Sequence, residues 1–164
     1  MVVFRCTRKL LDRLARPTEL APAHSTAVLG DWYVTLLFAR PQWVLLFVSE
    51  STRLPIVLPA RELATMAPRF GVALAHLLQA LNIDAPFVAR ELGAMSDAAF
   101  ATTQNRRVLG TSNDFSFQVR WILQATPTLT LHQLSLELAQ TPIHPLHDYP
   151  ARATRRLLLE KPIV

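Results

Sequence analysis

The run WVLLFV at residues 43–48 is apolar at every position, and it constrains the fold more than any other segment. An antiparallel strand with one face in water would alternate apolar and polar side chains. A strand built from this run can expose neither face. We therefore predict that it lies inside a sheet and is covered on both sides, by helices or by a partner subunit. Leu46 and Phe47 point to opposite faces of such a strand, and both should be buried.

Segments with strand character precede most of those with helical periodicity. Strands are predicted at residues 2–6, 31–39, 42–49, 55–58 and, from a weaker signal, 98–103. Helices are predicted at residues 7–14, 67–81, 84–94, 106–123 and 151–159, and another begins after a capping box at Thr130 and Gln133. This order indicates an α+β fold, in which an antiparallel sheet of about four to five strands packs against helices. We expect a single domain over residues 1–164, with one linker-like segment at 16–30.

Composition excludes several classes of protein. Of the 164 residues, 51% are hydrophobic and 18% are charged, which is typical of a globular chain and not of a disordered one. No apolar run is long enough to span a bilayer, and charges interrupt the N-terminal run where a signal peptide needs apolar residues. The single cysteine allows no internal disulfide. We therefore expect a cytoplasmic protein without a membrane segment.

The chain has a net charge of +5, which is compatible with nucleic acid, anionic lipid or an acidic protein as a partner. A bias toward arginine without functional meaning explains the same balance, because the basic residues are spread along the chain.

Two predicted helices begin with cations, where the helix dipole disfavours them. The residues concerned are Thr7, Arg8 and Lys9 at one helix and Asn105, Arg106 and Arg107 at the other, with Thr7 and Asn105 as the caps. Free N–H groups and basic side chains together can bind phosphate or carboxylate. If strands 2–6 and 98–103 are neighbours, the two helix starts converge on one anion site. Alternatively, the cations are solvated or paired with Asp12, Asp31 or Asp114.

Residues 110–114, with the sequence Gly-Thr-Ser-Asn-Asp, lie in the middle of the predicted helix at 106–123, although Gly and Asn are poor helix formers. Our first interpretation is that Gly110 lets another backbone approach closely. Alternatively, Asn113 and Asp114 line a polar site near the arginines, or the helix breaks and restarts here. The anion-binding candidates are Thr7, Arg8, Lys9, Asn105, Arg106, Asn113 and Asp114.

The chain carries no motif of a catalytic, cofactor or metal site. It lacks the nucleophile-elbow, Walker and dinucleotide patterns. His144, His147 and Asp148 are metal-capable, but they lie in a proline-rich loop without further ligands at a recognisable spacing. Cys6 alternates with apolar residues and should be a buried, inert thiol, unless the basic helix start lowers its pKa. We predict no catalytic residue, no cofactor and no metal.

Three segments form a recognisable set: CTRKLL near the start, DWYVTLLFARPQWVLLFVSESTRLPIVLPAR in the middle, and NRRVLGTSNDF late in the chain. Together they resemble a bacterial family known only as a domain of unknown function, with the patterns C-T-x-K-L-L and R-S-V-L-G-S-M-N-D. The matching residues are Cys6, Thr7, Lys9, Arg106, Gly110, Asn113 and Asp114. Arg107 and Ser112 stand where the pattern has Ser and Met. The resemblance implies no activity.

Two functions remain open. The first is a non-catalytic interaction or accessory module. We predict that it is a homodimer, because Trp32, Trp43 and the strands around them carry more apolar surface than a few helices can cover. The second is a protein that binds nucleic acid or a phosphorylated ligand through the basic helix starts. The aromatic residues lie within apolar strands and do not alternate with basic ones, which does not favour base stacking.

Overall fold

A computed structural model of the chain contains one five-stranded sheet. It describes residues 1–18, 24–144 and 147–163, so the linker-like segment at 16–30 lies partly outside the described residues. The strands are β1 (Val2–Cys6), β2 (Trp32–Ala39), β3 (Gln42–Ser49), β4 (Pro55–Pro59) and β5 (Ala98–Thr102). Their spatial order is β4-β3-β2-β1-β5.

Helices account for most of the second half of the chain. In the described ranges they are α1 (Arg8–Leu14), α2 (Met66–Ala80), α3 (Ala85–Gly93), α4 (Arg106–Ala125), α5 (Leu131–Ala139) and α6 (Pro150–Glu160), with a 3₁₀ turn (Leu63–Thr65) before α2. None of these helices combines the length and apolar character needed to cross a bilayer. Because α4 is continuous, the polar run at 110–114 does not break it.

The sheet is mixed, and the prediction of an antiparallel sheet was wrong for part of it. β1 runs parallel to both neighbours, with Phe4 opposite Trp32 of β2 and opposite Phe100 of β5. β2, β3 and β4 form antiparallel pairs. A parallel pair needs a crossover of a dozen or more residues, and residues 7–31 provide one between β1 and β2. The α+β class is confirmed.

The sheet is covered on both faces. On one face, Trp32 and Phe47 pack against Phe70 of α2, with ring centroids 4.8 and 4.7 Å from it. On the other face, Leu46 lies in a cluster with Phe115 of α4 and with residues of α5. Leu46 and Phe47 are both fully buried, which confirms the prediction of a strand covered on both faces.

The two tryptophans differ in exposure. Trp32 is fully buried within the single chain. Trp43 is 37% exposed, and the cations of Lys9 and Arg13 in α1 lie 4.4 and 5.0 Å from its ring centroid. Phe38 of β2 is 40% exposed, and its ring centroid lies 5.2 Å from that of Trp43. The homodimer predicted from these strands stays a prediction.

The residues of β4 limit further strand pairing at this edge of the sheet. Pro55 and Pro59 have no N–H group, and the N–H of Val57 between them donates to the Ser135 hydroxyl of α5 at 2.9 Å. The carbonyl of Pro59 accepts from Nη1 of Arg69 at 2.9 Å. Because an edge strand with free N–H groups can pair with another chain, these contacts protect β4 from further strand pairing.

Capping residues fix the positions at which two helices begin. The capping box of Thr130 and Gln133 is present at α5, and the Asn105 side chain accepts from two N–H groups of the first turn of α4. Both predictions are confirmed. Thr7 occupies the N-cap position of α1, but its side chain makes no capping hydrogen bond, so its predicted role as a cap was wrong.

Phe47→Ala should lower the free energy of unfolding by about 3–5 kcal/mol, because it leaves a cavity between the sheet and α2. Phe117→Ala is the matched control, since Phe117 is 72% exposed on α4. It should change the free energy of unfolding by no more than about 0.5 kcal/mol. Urea denaturation measures both variants, and equal losses would contradict the core described above.

Candidate functional site

The two basic helix starts leave the sheet at the same edge. β1 and β5 are parallel neighbours with Cys6 opposite Thr102, so α1 and α4 both begin just beyond the same ends of these strands. The condition set for a shared anion site, that these two strands are adjacent, is therefore met.

The cations of α1 are engaged by their own neighbours. Arg8 forms an exposed ion pair with Asp12, with Nε 3.7 Å from Oδ1. The Lys9 ammonium lies over the Trp43 ring, as described above. The Thr7 N–H donates to the carbonyl of Val34 at 3.1 Å. Contacts within the chain therefore account for the charges of this helix start.

The start of α4 is different. Asn105 Oδ1 accepts from the N–H of Arg107 at 3.0 Å and from that of Val108 at 3.4 Å. Arg106 and Arg107 are exposed, and no carboxylate of the described residues is in ion-pairing distance of either. Asn113 and Asp114 are exposed about two turns further along the helix. Of the predicted candidates, Asn105, Arg106, Asn113 and Asp114 thus share α4.

Asn105 also joins α4 to a polar cluster on the sheet, which we define as Arg5, Asp31, Tyr33, Glu50, Arg53 and Asn105. The Asn105 backbone N–H donates to the hydroxyl of Tyr33 at 3.0 Å, and its side-chain Nδ2 donates to Glu50 Oε1 at 3.4 Å. A guanidinium nitrogen of Arg53 donates to the backbone carbonyl of Glu50. Burial raises the pKa of Tyr33, and the charge of Glu50 also raises it, so the phenol stays protonated.

Arg5 and Asp31 form the buried ion pair of the polar cluster. Nε of Arg5 donates to Asp31 Oδ2 at 2.7 Å, and its Nη1 donates to the Thr102 carbonyl at 3.3 Å. The Ser25 N–H donates to Asp31 Oδ1 at 2.8 Å. Burial alone would raise the pKa of Asp31, but the hydrogen bonds from Ser25 and Arg5 outweigh it and hold the pKa below its usual value of 3.8.

His24 brings a third metal-capable side chain to this region. Ligand atoms of His24, Asp31 and Glu50 lie within 4.8 Å of one another. However, both oxygens of Asp31 already accept hydrogen bonds, and the Arg5 guanidinium repels a cation. This arrangement suits the ion pair better than it suits a metal ion.

The outer side of α4 carries two exposed aromatic rings. Phe117 and Trp121 are 72% and 65% exposed. At 100° per residue they share one stripe with three other exposed residues, opposite the side that packs on β2 and β3. We call this stripe the α4 face: Arg106, Gly110, Asn113, Phe117 and Trp121.

Gly110 has no packing role within the described residues. A Cβ atom added to it would meet nothing within 4 Å. Our interpretation that Gly110 allows another part of the same chain to approach was therefore wrong, because it points to open space on the outer side of α4. Glycine lowers the stability of a helix relative to alanine, and no contact of Gly110 within the described residues offsets this loss.

A recess of about 410 Å³ lies beside the C-terminal half of α4. It is lined by Phe38, Arg40, Arg120 and Gln124. Nε of Arg120 donates to the carbonyl of Phe38 at 3.3 Å, which holds the α4 side of the recess to β2. The recess contributes two guanidinium groups and no carboxylate next to the exposed rings.

The other residues considered for chemistry are inert or engaged. Cys6 is buried, and burial raises its pKa to about 12, so the thiolate needed for a nucleophile does not form. Asp148 pairs with Arg152 and Arg156, and the loop between His144 and His147 lies outside the described residues.

The sequence reasoning missed Phe117 and Trp121, since it placed the aromatic residues in strands. A signal was present, because both rings lie opposite the apolar side of the predicted helix marked by Val108, Phe115 and Val119. It also missed Arg5, whose charge interrupts an otherwise apolar strand.

Gly110→Ala should raise the free energy of unfolding by about 0.5–1 kcal/mol, because alanine is the better helix former and the added methyl group meets no atom. Gly30→Ala is the matched control. Gly30 has a φ of +76°, and an added Cβ would lie 2.6 Å from the Ser51 hydroxyl, so this change should destabilise the chain. Thermal denaturation measures both, and a loss of stability in Gly110→Ala would show that Gly110 is packed.

Asp31→Asn should lower the free energy of unfolding at neutral pH by about 3–5 kcal/mol, because it leaves the Arg5 guanidinium buried without a counter-charge. Folding lowers the pKa of Asp31, so its contribution is complete above pH 3.8 and is lost as the pH falls through the lower folded value. The gap between wild type and variant should therefore shrink in acid. Asp114→Asn is the exposed control. Denaturation at several pH values measures the free energy of unfolding of both variants. A gap that is unchanged in acid would contradict the ion pair.

Residues 3–153 match the family described as a domain of unknown function, DUF6933. No curated protein and no solved structure matches the chain. The match runs from β1 into the first turn of α6, so it includes the polar cluster and the whole of α4. The chain therefore belongs to the DUF6933 family.

Proposed function

We propose that this protein is a cytoplasmic, non-catalytic interaction module that binds an acidic segment of a partner protein through the α4 face. The observation that carries the proposal is the pair of Phe117 and Trp121, two large rings one helical turn apart and mostly exposed. Burial of each ring in an interface would contribute about 1.5–3 kcal/mol. Contiguous exposed apolar surface of this kind marks interaction sites in soluble proteins.

Gly110 supports the same surface. It lies two turns before Phe117 on the α4 face and leaves a flat area in which a partner helix or extended segment can approach the α4 backbone. A glycine that stabilises nothing within the described residues is explained if its contact lies in another molecule. Asn113, between Gly110 and Phe117, offers an amide that can both donate and accept hydrogen bonds.

The arginines on and beside α4 indicate which kind of partner segment would bind. Arg106 and Arg107 lie at one end of α4 and Arg120 near the other, with Arg40 in the adjoining recess. Asp114 is the single carboxylate on α4. A partner segment with apolar side chains for the two rings and carboxylates for these arginines complements the surface. A second copy of this chain fits less well, because it would bring the arginines of two α4 helices together.

Site-specific photo-crosslinking tests this proposal. The full chain is made with benzoylphenylalanine in place of Phe117 and irradiated in cells of the organism that encodes it. Leu159, 53% exposed on α6, provides the matched control position. We expect a discrete adduct at position 117 and none at 159, with the crosslinked partner segment rich in Asp and Glu. Trp121→Gln should reduce the adduct about tenfold, as expected for loss of an interface aromatic.

Each other result has a definite meaning. Absence of an adduct, or equal adducts at positions 117 and 159, would show that the α4 face is not an interface. An adduct with a neutral or basic segment would contradict the acidic partner. An adduct with a second copy would instead establish a homodimer, and one with nucleic acid would establish the aromatic and basic residues as a base-stacking surface.

A further inference from the structure

Two exposed aromatic rings lie side by side at the turn between β2 and β3. Phe38 and Trp43 are opposite each other in this antiparallel pair, and their ring centroids are 5.2 Å apart. They are 40% and 37% exposed, whereas the other aromatic residues of the five strands are buried. The pair presents ring surface to solvent at one end of the sheet, and it is distinct from the α4 face.

Helix α1 brings two cations to this ring pair. The Lys9 ammonium and the Arg13 guanidinium lie 4.4 and 5.0 Å from the centroid of the Trp43 ring. The two residues are four apart in α1, where like charges repel each other. The ring attracts both cations but does not neutralise them, and the Asp12 carboxylate of the same helix pairs with Arg8 instead. An anion bound beside the ring would relieve the repulsion.

Two exposed arginines border the same rings. Phe38 and Arg40 line the recess of about 410 Å³ described above, and Trp43 and Arg61 line another of about 600 Å³. Among the described residues, no carboxylate lines either recess, and no ion pair involves these two arginines or the two cations of α1. We call this surface the hairpin end: Lys9, Arg13, Phe38, Arg40, Trp43 and Arg61.

We propose that the hairpin end binds single-stranded nucleic acid, with a base stacked on the rings of Phe38 and Trp43 and with phosphates held by the surrounding cations. Surfaces that bind single strands combine stacking rings with positive charge in this way. An acidic protein segment would satisfy the charges, but its carboxylates make no use of the ring pair. In a duplex the bases stack on one another and do not reach the rings. The proposal goes beyond the α4 face and does not depend on it.

Fluorescence anisotropy of a labelled oligothymidylate of about ten nucleotides, titrated with the full chain, tests the stacking. Trp43→Leu keeps an apolar side chain but removes the ring, and it should weaken binding about tenfold. Trp43→Phe is the matched control, because it keeps a ring, and it should bind within about threefold of the wild type. An abasic oligomer of the same length should bind the wild type about tenfold more weakly than oligothymidylate, because it offers phosphates without bases.

A salt titration tests the charges. The logarithm of the affinity falls with the logarithm of the salt concentration, with a slope of about 0.7 for each phosphate of a single strand that the protein neutralises. Arg13→Gln should therefore weaken binding and reduce the slope by about 0.7. Arg8→Gln is the matched control, since Arg8 lies in the same helix and pairs with Asp12. Its slope should equal that of the wild type.

The proposal is overturned if oligothymidylate does not bind, if the abasic oligomer or a duplex of the same length binds as tightly, or if Trp43→Leu binds like Trp43→Phe. It is also overturned if Arg13→Gln keeps the slope of the wild type. Tighter binding of a polyglutamate peptide of equal charge would assign the surface to an acidic protein segment. A dimer in light scattering that Trp43→Leu dissociates would assign the rings to a second copy of the chain.

Thermal denaturation shows whether each variant is folded. If Trp43→Leu is not folded, the abasic oligomer and Arg13→Gln still decide the result, because Arg13 is exposed on α1 and its replacement leaves the rings in place. None of these variants changes a residue of the α4 face, so a failure here is distinguishable from a failure of the function proposed for that helix.

Discussion

The buried ion pair of Arg5 and Asp31 is the interaction on which the rest of the candidate site depends. A buried guanidinium or carboxylate costs several kcal/mol unless it is paired and its remaining hydrogen bonds are made. Here Arg5 also donates to the Thr102 carbonyl, so one side chain ties β1 to the start of β2 and the end of β5. The pair therefore links these three strands at one end of the sheet, in addition to their backbone pairing. Tyr33 follows two residues after Asp31, and its hydroxyl accepts from the backbone N–H of Asn105, the N-cap of α4.

The position of α4 follows from this arrangement and from two-sided burial of the sheet. Its apolar side lies on β2 and β3, and Asn105 anchors its first turn to the polar cluster. The opposite side must then face solvent, with Phe117 and Trp121 on it. The two arginines at its start lie about 100° apart around the helix axis. Arg106 therefore belongs to the α4 face, and Arg107 does not.

Much of the fold was predictable because local physical chemistry decides it. The apolar run at 43–48 required cover on both faces, and the capping residues Asn105 and Thr130 located two helix starts within a residue. The basic first turn of α4 was also read correctly. Thr7 was misjudged because a residue type that favours capping does not guarantee the hydrogen bond. Gly110 was misjudged because glycine was taken to indicate close packing, although Gly110 lies opposite the apolar side of the helix marked by Val108, Phe115 and Val119.

The sequence by itself determined which segments form strands and helices, that β3 is buried on both faces, and that cations open two helices. These properties depend on side chains within a few residues of one another. Only the tertiary structure decided that β1 lies between β2 and β5, because strand order depends on contacts between residues far apart in the chain. That order joined Arg5 to Asp31 and brought Tyr33 and Glu50 to Asn105. The polar cluster is therefore a product of strand order, since no short segment contains the groups that meet there, whereas the α4 face lies on a single helix.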